Sequence, residues 1–250
     1  MTEQKYKSVF ISDLHLGSKH CKANELLKFL KSVRCENLYL VGDIVDGWRL
    51  QKKWHWPKEH TDVIRQIIRM SNKDVNVYWI AGNHDEFLRT FMHQGLTFGK
   101  IRISNKEVYE DISGKRYLVV HGDMFDYLMR SRFGKFVMNL GGFAYDVIAL
   151  LSIYQNRIRT FLGLDNWSLV KYLKHQVKYA SNFVGQFEIE MTKYVKAKGY
   201  DGIICGHIHT PAITEHNGIV YMNDGDWCEN CTTLVEHLDG KWEIIYNVEK

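Results

Sequence analysis

The sequence predicts an α/β fold: a two-layered β core with outer helices, interrupted by one inserted helical cap. Three observations carry this. Apolar runs of strand length alternate with helical periodicities from residue 6 to residue 80, the β-α-β-α-β order that makes parallel neighbours. That rhythm stops after residue 123 and resumes at residue 202. The stretch between, residues 124–198, has no proline, 14 aromatics and a helical composition. After residue 210 short strands follow in quick succession, punctuated by turns at Asn217-Gly218 and Asp239-Gly240. The core is therefore residues 1–123 and 199–250, and the cap is residues 124–198.

In chain order, Tyr6 to Ser12 is the first strand, because Val9, Phe10 and Ile11 are apolar and β-prone. Residues 22–33 carry Leu26, Leu27, Phe29 and Leu30 at helical spacing. Asn37 to Val41 is the second strand, followed by a long aromatic loop with Trp48, Trp54, His55, Trp56 and Pro57. A second helix starts after Pro57 and runs to about Met70, with Val63, Ile64, Ile67 and Ile68 on one face. Val75 to Ile80 is the third strand. Residues 100–110 and 116–120 read as two more, joined by a turn at Ser113-Gly114. Beyond the cap come Gly202 to Cys205 and strands near 211–216, 218–223, 231–237 and 242–248.

Charge is mild overall, +4 over 250 residues, too little to mark a nucleic-acid binder by itself. Its distribution is uneven, since residues 124–198 hold eleven Lys/Arg against five Asp/Glu. No apolar run approaches the roughly 18–20 residues that span a bilayer. Met1 to Ser8 is polar and lacks an export signal, so a cytoplasmic location is expected. Five scattered cysteines then read as reduced thiols. Cys228-Glu229-Asn230-Cys231 lacks the second pair that a zinc-thiolate site needs.

Five loops share one form, an apolar strand ending in polar ligands: Asp13-Leu14-His15, Gly42-Asp43, Gly82-Asn83-His84-Asp85, His121-Gly122-Asp123 and Gly206-His207-Ile208-His209. The parallel order brings strand ends together, which would collect Asp13, His15, Asp43, Asn83, His121, His207 and His209. These are O and N donors without a thiolate, a set that suits Mn²⁺, with Fe²⁺ or Zn²⁺ as alternatives, and not Ca²⁺. Seven ligands exceed one tetrahedral ion and fit two divalent ions bridged by a carboxylate, for which Asp43 is the candidate. His84 follows a ligand and is a candidate catalytic residue, either protonating a leaving oxygen or stabilising the transition state, with Asp85 expected to fix its tautomer. Asp46 reads equally as a hydrogen-bond acceptor behind the site or as a turn residue. In the cap, Arg157 and Arg159, and Lys171, Lys174 and Lys178 on one helical face, read equally as a solvated face or as candidate contacts for anionic phosphate or an anionic membrane surface.

Asp13-x-His15, Gly42-Asp43-x-x-Asp46, Gly82-Asn83-His84-Asp85, His121 and Gly206-His207-x-His209 together resemble the calcineurin-like metallophosphoesterase signature. The resemblance implies an αββα sandwich, with one metal held by Asp13, His15, Asp43 and His209 and the other by Asp43, Asn83, His121 and His207. It also implies in-line attack of metal-activated water or hydroxide on phosphorus. Within that superfamily, Gly42-Asp43-Ile44-Val45-Asp46-Gly47-Trp48, the helical insertion, and Asn223-Asp224-Gly225-Asp226-Trp227 resemble the UDP-2,3-diacylglucosamine diphosphatases of lipid A synthesis. His84 stands where well-studied members have arginine. The expected substrate is a nucleotide-activated glycolipid, cleaved to UMP and 2,3-diacylglucosamine 1-phosphate at the inner face of the cell membrane. The alternatives are a phosphoesterase for another nucleotide, phospholipid or nucleic acid, and an inactive scaffold of the same fold. Nucleic acid is not expected as a partner, because no separate basic stripe or extra domain is present.

Overall fold

The computed structural model describes residues 5–92, 98–126 and 169–248, with side chains in the last segment from residue 183 onward. The chain forms two compact units, Met1–Asp123 with Ile189–Lys250, and Met124–Glu188. Arg157 and Arg159 lie outside the described residues. Lys171, Lys174 and Lys178 lie on the described backbone of one long helix.

The first unit is built on two sheets. One is six-stranded. Its parallel centre is β1 (Lys5–Ile11), β2 (Arg34–Val41), β3 (Asn76–Ile80) and β4 (Arg102–Ser104), and β10 (Thr232–His237) and β11 (Trp242–Tyr246) add antiparallel beyond β1. The other is five-stranded, in the order β5 (Glu107–Glu110), β6 (Arg116–Val119), β7 (Gly202–Cys205), β9 (Ile219–Asn223), β8 (Ala212–His216).

Alternation along the strands explains the layering. Val9, Ile11, Leu38, Leu40, Val77 and Trp79 pack in one apolar cluster with Leu26 and Leu30 of α1 (Ala23–Ser32) and Val63, Ile67 and Met70 of α3 (Lys58–Ser71). The intervening Phe10, Tyr39, Val41 and Ile80 point the other way, into a second cluster with Tyr109, Tyr117, Val119, Ile204 and Met222 of the other sheet. Period-2 side chains thus give each strand of the first sheet one face for helices and one for the second sheet. Phe10 stacks on Tyr39 at 4.7 Å between ring centroids, and Tyr39 stacks on Tyr78 at 4.5 Å. On the outer face of the second sheet, Met191 of α5 (Leu169–Ala197) is buried, its Sδ 4.0 Å from Cys205 Sγ. The result is two mixed sheets packed face to face with helices outside, the αββα arrangement expected.

Three local expectations change. Residues 100–110 are not one strand. β4 pairs with β3 in the first sheet, and β5 pairs with β6 in the second, so the chain crosses between layers at 105–106. The aromatic loop contains α2 (Gly47–Lys52), and α4 (Phe87–Met92) follows the third ligand loop. Both are six-residue helices that side-chain pattern alone does not support; α2 forms because Asp46 caps it, Oδ1 accepting from Arg49 N at 3.0 Å. No helix of the described residues is long and apolar enough to cross a membrane.

Candidate metal centre

All five ligand loops leave the carboxyl ends of strands β1, β2, β3, β6 and β7. Backbone hydrogen bonds strap them together: Asp13 N to Gly42 O at 3.0 Å, His15 N to Asp43 O at 2.9 Å, and Gly206 N to His121 O at 3.0 Å. The carboxylates add cross-links, since Asp13 Oδ2 accepts from His207 N at 2.9 Å and Asp43 Oδ1 from His84 N at 2.8 Å. Eight described non-glycine residues have positive φ, and five of them are Asp13, His15, Asp43, His207 and His209. Such backbone is costly for residues with a Cβ, and its concentration at one place marks a geometry imposed for function.

Glycine makes the approach possible. A Cβ at Gly42, where φ is +87°, would run into the His121 ring, and one at Gly82 would run into the Asp43 carboxylate and backbone. The ligand side chains pass through the space that ordinary residues would fill.

The gathered donors face each other. His209 Nε2 lies 3.0 Å from Asp13 Oδ1, and His15 Nε2 lies 3.6 Å from the same oxygen. Asp43 Oδ2 is 3.3 Å from His121 Nε2 and 3.8 Å from His15 Nε2, so one oxygen reaches toward both groups of ligands. His121 and His207 rings are 5.1 Å apart. Asp13, His15 and His209 form one set close enough to hold an ion; Asp13, Asp43 and His121 form another. His15, Asp43, Asn83, His84, His207 and His209 line a cleft of about 430 Å³.

These residues fit divalent metals. Among the described residues, Asn83 Oδ1 and His121 Nε2 are buried without a hydrogen-bond partner, which is costly unless something accepts their lone pairs. His121 Nδ1 sits 2.9 Å from Val41 O, which assigns its proton there and leaves Nε2 as a ligand atom. The electrostatics agree. Burial opposes charge on both Asp13 and His121, yet Asp13 is held well below the usual carboxylate range, chiefly by His121. His121 is raised well above the usual imidazole range by Asp43 and Asp13. A field that favours positive charge at this spot also favours a bound cation.

His84 faces this centre from the cleft rim, with Nε2 3.9 Å from Asp43 Oδ2. Its Nδ1 is held by Asp46 Oδ1 at 2.9 Å. Asp46 is therefore the buried acceptor behind His84 and a helix cap as well. The expectation for Asp85 is corrected. Its carboxylate is fully buried and accepts from Gly82 N at 2.5 Å, Ile44 N at 3.0 Å and Trp79 Nε1 at 3.0 Å. It clamps the loops carrying Asp43 and Asn83 and does not touch His84. Successive side chains diverge in this turn, so adjacency in sequence misled.

Sequence reasoning also passed over residues that the fold delivers. Arg49, on α2, lines the same cleft, as do His20, Cys228 and Glu229. Behind Asp13, Ser12 Oγ lies 2.6 Å from Asp13 Oδ2 and 2.6 Å from Asp224 Oδ1. The Asn223-Asp224 pair was the one sequence signal for this second layer.

Comparison with known proteins adds identity to geometry. The family model described as calcineurin-like phosphoesterase matches residues 6–211. A protein named UDP-2,3-diacylglucosamine hydrolase from Neisseria meningitidis is 28% identical over 249 residues, covering 96% of this chain and 98% of its own. One of the same name from Neisseria gonorrhoeae is 29% identical, covering 97% and 98%. Among solved structures, an archaeal phosphodiesterase aligns with a TM-score of 0.47 at 13% identity, over 95% of this chain and 98% of that one.

Proposed function

The chain belongs to the calcineurin-like phosphoesterase family and is a metal-dependent hydrolase, and from that premise we propose that it cleaves the diphosphate of UDP-2,3-diacylglucosamine to UMP and 2,3-diacylglucosamine 1-phosphate. The observation that carries this is coverage. The likeness to relatives of that name runs through 96% of the chain, so it includes residues 124–198 and not only the metal motifs. Chemistry belongs to the metal site; substrate choice must come from what surrounds it.

Asp13, His15, Asp43 and His209 would hold one ion, and Asp43, Asn83, His121 and His207 the other, a mixed oxygen and nitrogen set open to Mn²⁺, Fe²⁺ or Zn²⁺, of which we take Mn²⁺ as the working choice. Two such ions supply Lewis-acid stabilisation of phosphoryl oxygens and acidify a water. Water adds to one phosphorus, and the bond to the bridging oxygen breaks, that oxygen leaving with the electron pair on the second phosphate. His84 Nε2 faces the cleft while Asp46 holds Nδ1, an arrangement that lets Nε2 deliver a proton to the leaving oxygen. Asp85 keeps the Asp43 and Asn83 loops in register.

Residues 124–198 would shelter the acyl chains, each buried CH₂ contributing about 0.8 kcal/mol. Arg157, Arg159, Lys171, Lys174 and Lys178 would meet phosphate or anionic lipid, each contributing roughly 1 kcal/mol near a membrane surface. The protein would then act as a peripheral enzyme on the inner face of the cell membrane.

The test is a substrate screen with metal-loaded protein. UDP-2,3-diacylglucosamine should be cleaved to UMP far faster than deacylated UDP-glucosamine, and single-stranded DNA should be left intact. Equal handling of acylated and deacylated sugars would overturn the lipid assignment and leave a phosphoesterase for another substrate.

A further inference from the structure

We infer that Arg49 is the substrate-binding cation for the sugar-side phosphate of the substrate, the one that departs with the bridging oxygen when water adds to the uridine-side phosphorus. The inference rests on the diphosphate reading above and adds to it a residue from outside the metal set.

Arg49 lies in the first turn of α2, and its backbone N donates to Asp46 Oδ1. Its Nε is 3.2 Å from Asp46 Oδ2, while Asp46 is almost wholly buried and the Arg49 side chain is 57% exposed. The guanidinium is thus tethered along one edge to a fixed carboxylate. Among the described residues its terminal NH₂ groups have no partner, and the residue lines the metal cleft. The same Asp46 holds His84 through Oδ1. One carboxylate therefore sets both the group that faces the leaving oxygen and a guanidinium next to it.

Charge accounting gives this placement a purpose. A diphosphate diester carries one negative charge on each phosphorus. The metal centre addresses the phosphorus under attack. The histidines that would ligate metal must be neutral to do so, so they cannot serve the other phosphate. Of the described residues lining the cleft, Arg49 is the one permanently charged cation. When the P–O bond breaks, negative charge grows on the departing phosphate, beside His84. A planar fork of N–H donors with one edge already fixed loses little freedom in binding that phosphate.

Calorimetry with manganese-loaded protein, titrating UDP and UMP separately, tests this. UDP should bind more tightly than UMP to the wild type. Arg49→Met should weaken UDP by about tenfold or more, the worth of a lost charge-assisted hydrogen bond, and UMP by much less. Arg49→Lys should restore most of the UDP affinity by returning the charge. A wild type without preference for UDP, or a loss falling equally on UDP and UMP, overturns the assignment. The two readings fail separately. Protein that does not cleave UDP-2,3-diacylglucosamine but shows the Arg49-dependent UDP preference retires the lipid reading alone. Protein that cleaves it without that preference retires the role of Arg49 alone.

Discussion

His84 and Asp46 are 38 residues apart in sequence, yet Nδ1 of one lies 2.9 Å from Oδ1 of the other. The contact aims His84 Nε2 at the cleft. His84→Gln should therefore slow substrates with poor leaving groups by roughly 10²–10⁴, with a much smaller effect on aryl phosphodiesters and near-normal metal content. Asp46→Asn should reproduce part of that leaving-group dependence, by about tenfold. Asp85→Asn should not, because it disturbs three donors that fix loop geometry; it should lower the melting temperature and metal content instead. Rates against a series of leaving groups, with metal analysis, separate the three. An equal loss on all substrates would assign His84 to positioning.

Chelation should abolish activity, and Mn²⁺ should restore it best. Asp43→Ala should be nearly inactive, because Asp43 Oδ2 serves both ligand groups. Burial lowers the His209 imidazole, but the Asp13 carboxylate more than reverses this and lifts it to about 9. The metal-free protein thus carries a proton there at neutral pH that metal binding must displace. Metal addition in weak buffer should acidify the solution, and metal affinity should fall as pH falls. Full turnover by chelated protein would defeat the two-metal reading.

Gly82→Ala should remove activity without altering any ligand, since the added methyl group collides with Asp43. A loss of metal affinity in the range of about 10–100-fold is expected, the scale seen when the support of a ligand is damaged. Normal metal binding in this variant would show that the loop can yield.

Asp224 gives a pH signature. Burial pushes its carboxyl well above the usual range, with the Ser12 hydroxyl offsetting part of that. A folded-state pKa above the unfolded one stabilises the fold below the unfolded value, near 3.8, and this stability is lost as pH rises through the folded value. Asp224→Asn mimics the protonated acid and escapes that loss. Its melting temperature should match or trail the wild type at about pH 4 and exceed it at neutral pH. A constant difference across the range would show that Asp224 does not titrate between them.

Much of this site could be read from the chain before any coordinates. Strand-ending loops rich in Asp, Asn, His and Gly announce themselves locally, and parallel order brings their ends together. What stayed hidden depends on contacts distant in sequence. Asp46 and Asp85 look alike beside their motifs, yet one reaches His84 and the other turns back to Gly82, Ile44 and Trp79. The break at residues 105–106 carries no glycine or proline to signal that β4 and β5 join different sheets. Helices α2 and α4 are shorter than the window over which an amphipathic period becomes visible.

Asp13, His15, Asp43 and Asn83 come from loops of the six-stranded sheet, and His121, His207 and His209 from loops of the five-stranded one. Neither sheet alone holds a full set for either ion. Ions seated there would act as rivets through a seam, and the sheets could not part without breaking coordination on one side. A half-folded chain would have no site to load, so metallation would report on completed folding. In the finished protein the ions could still leave through the cleft, but the sandwich could not open without giving up its hold on them.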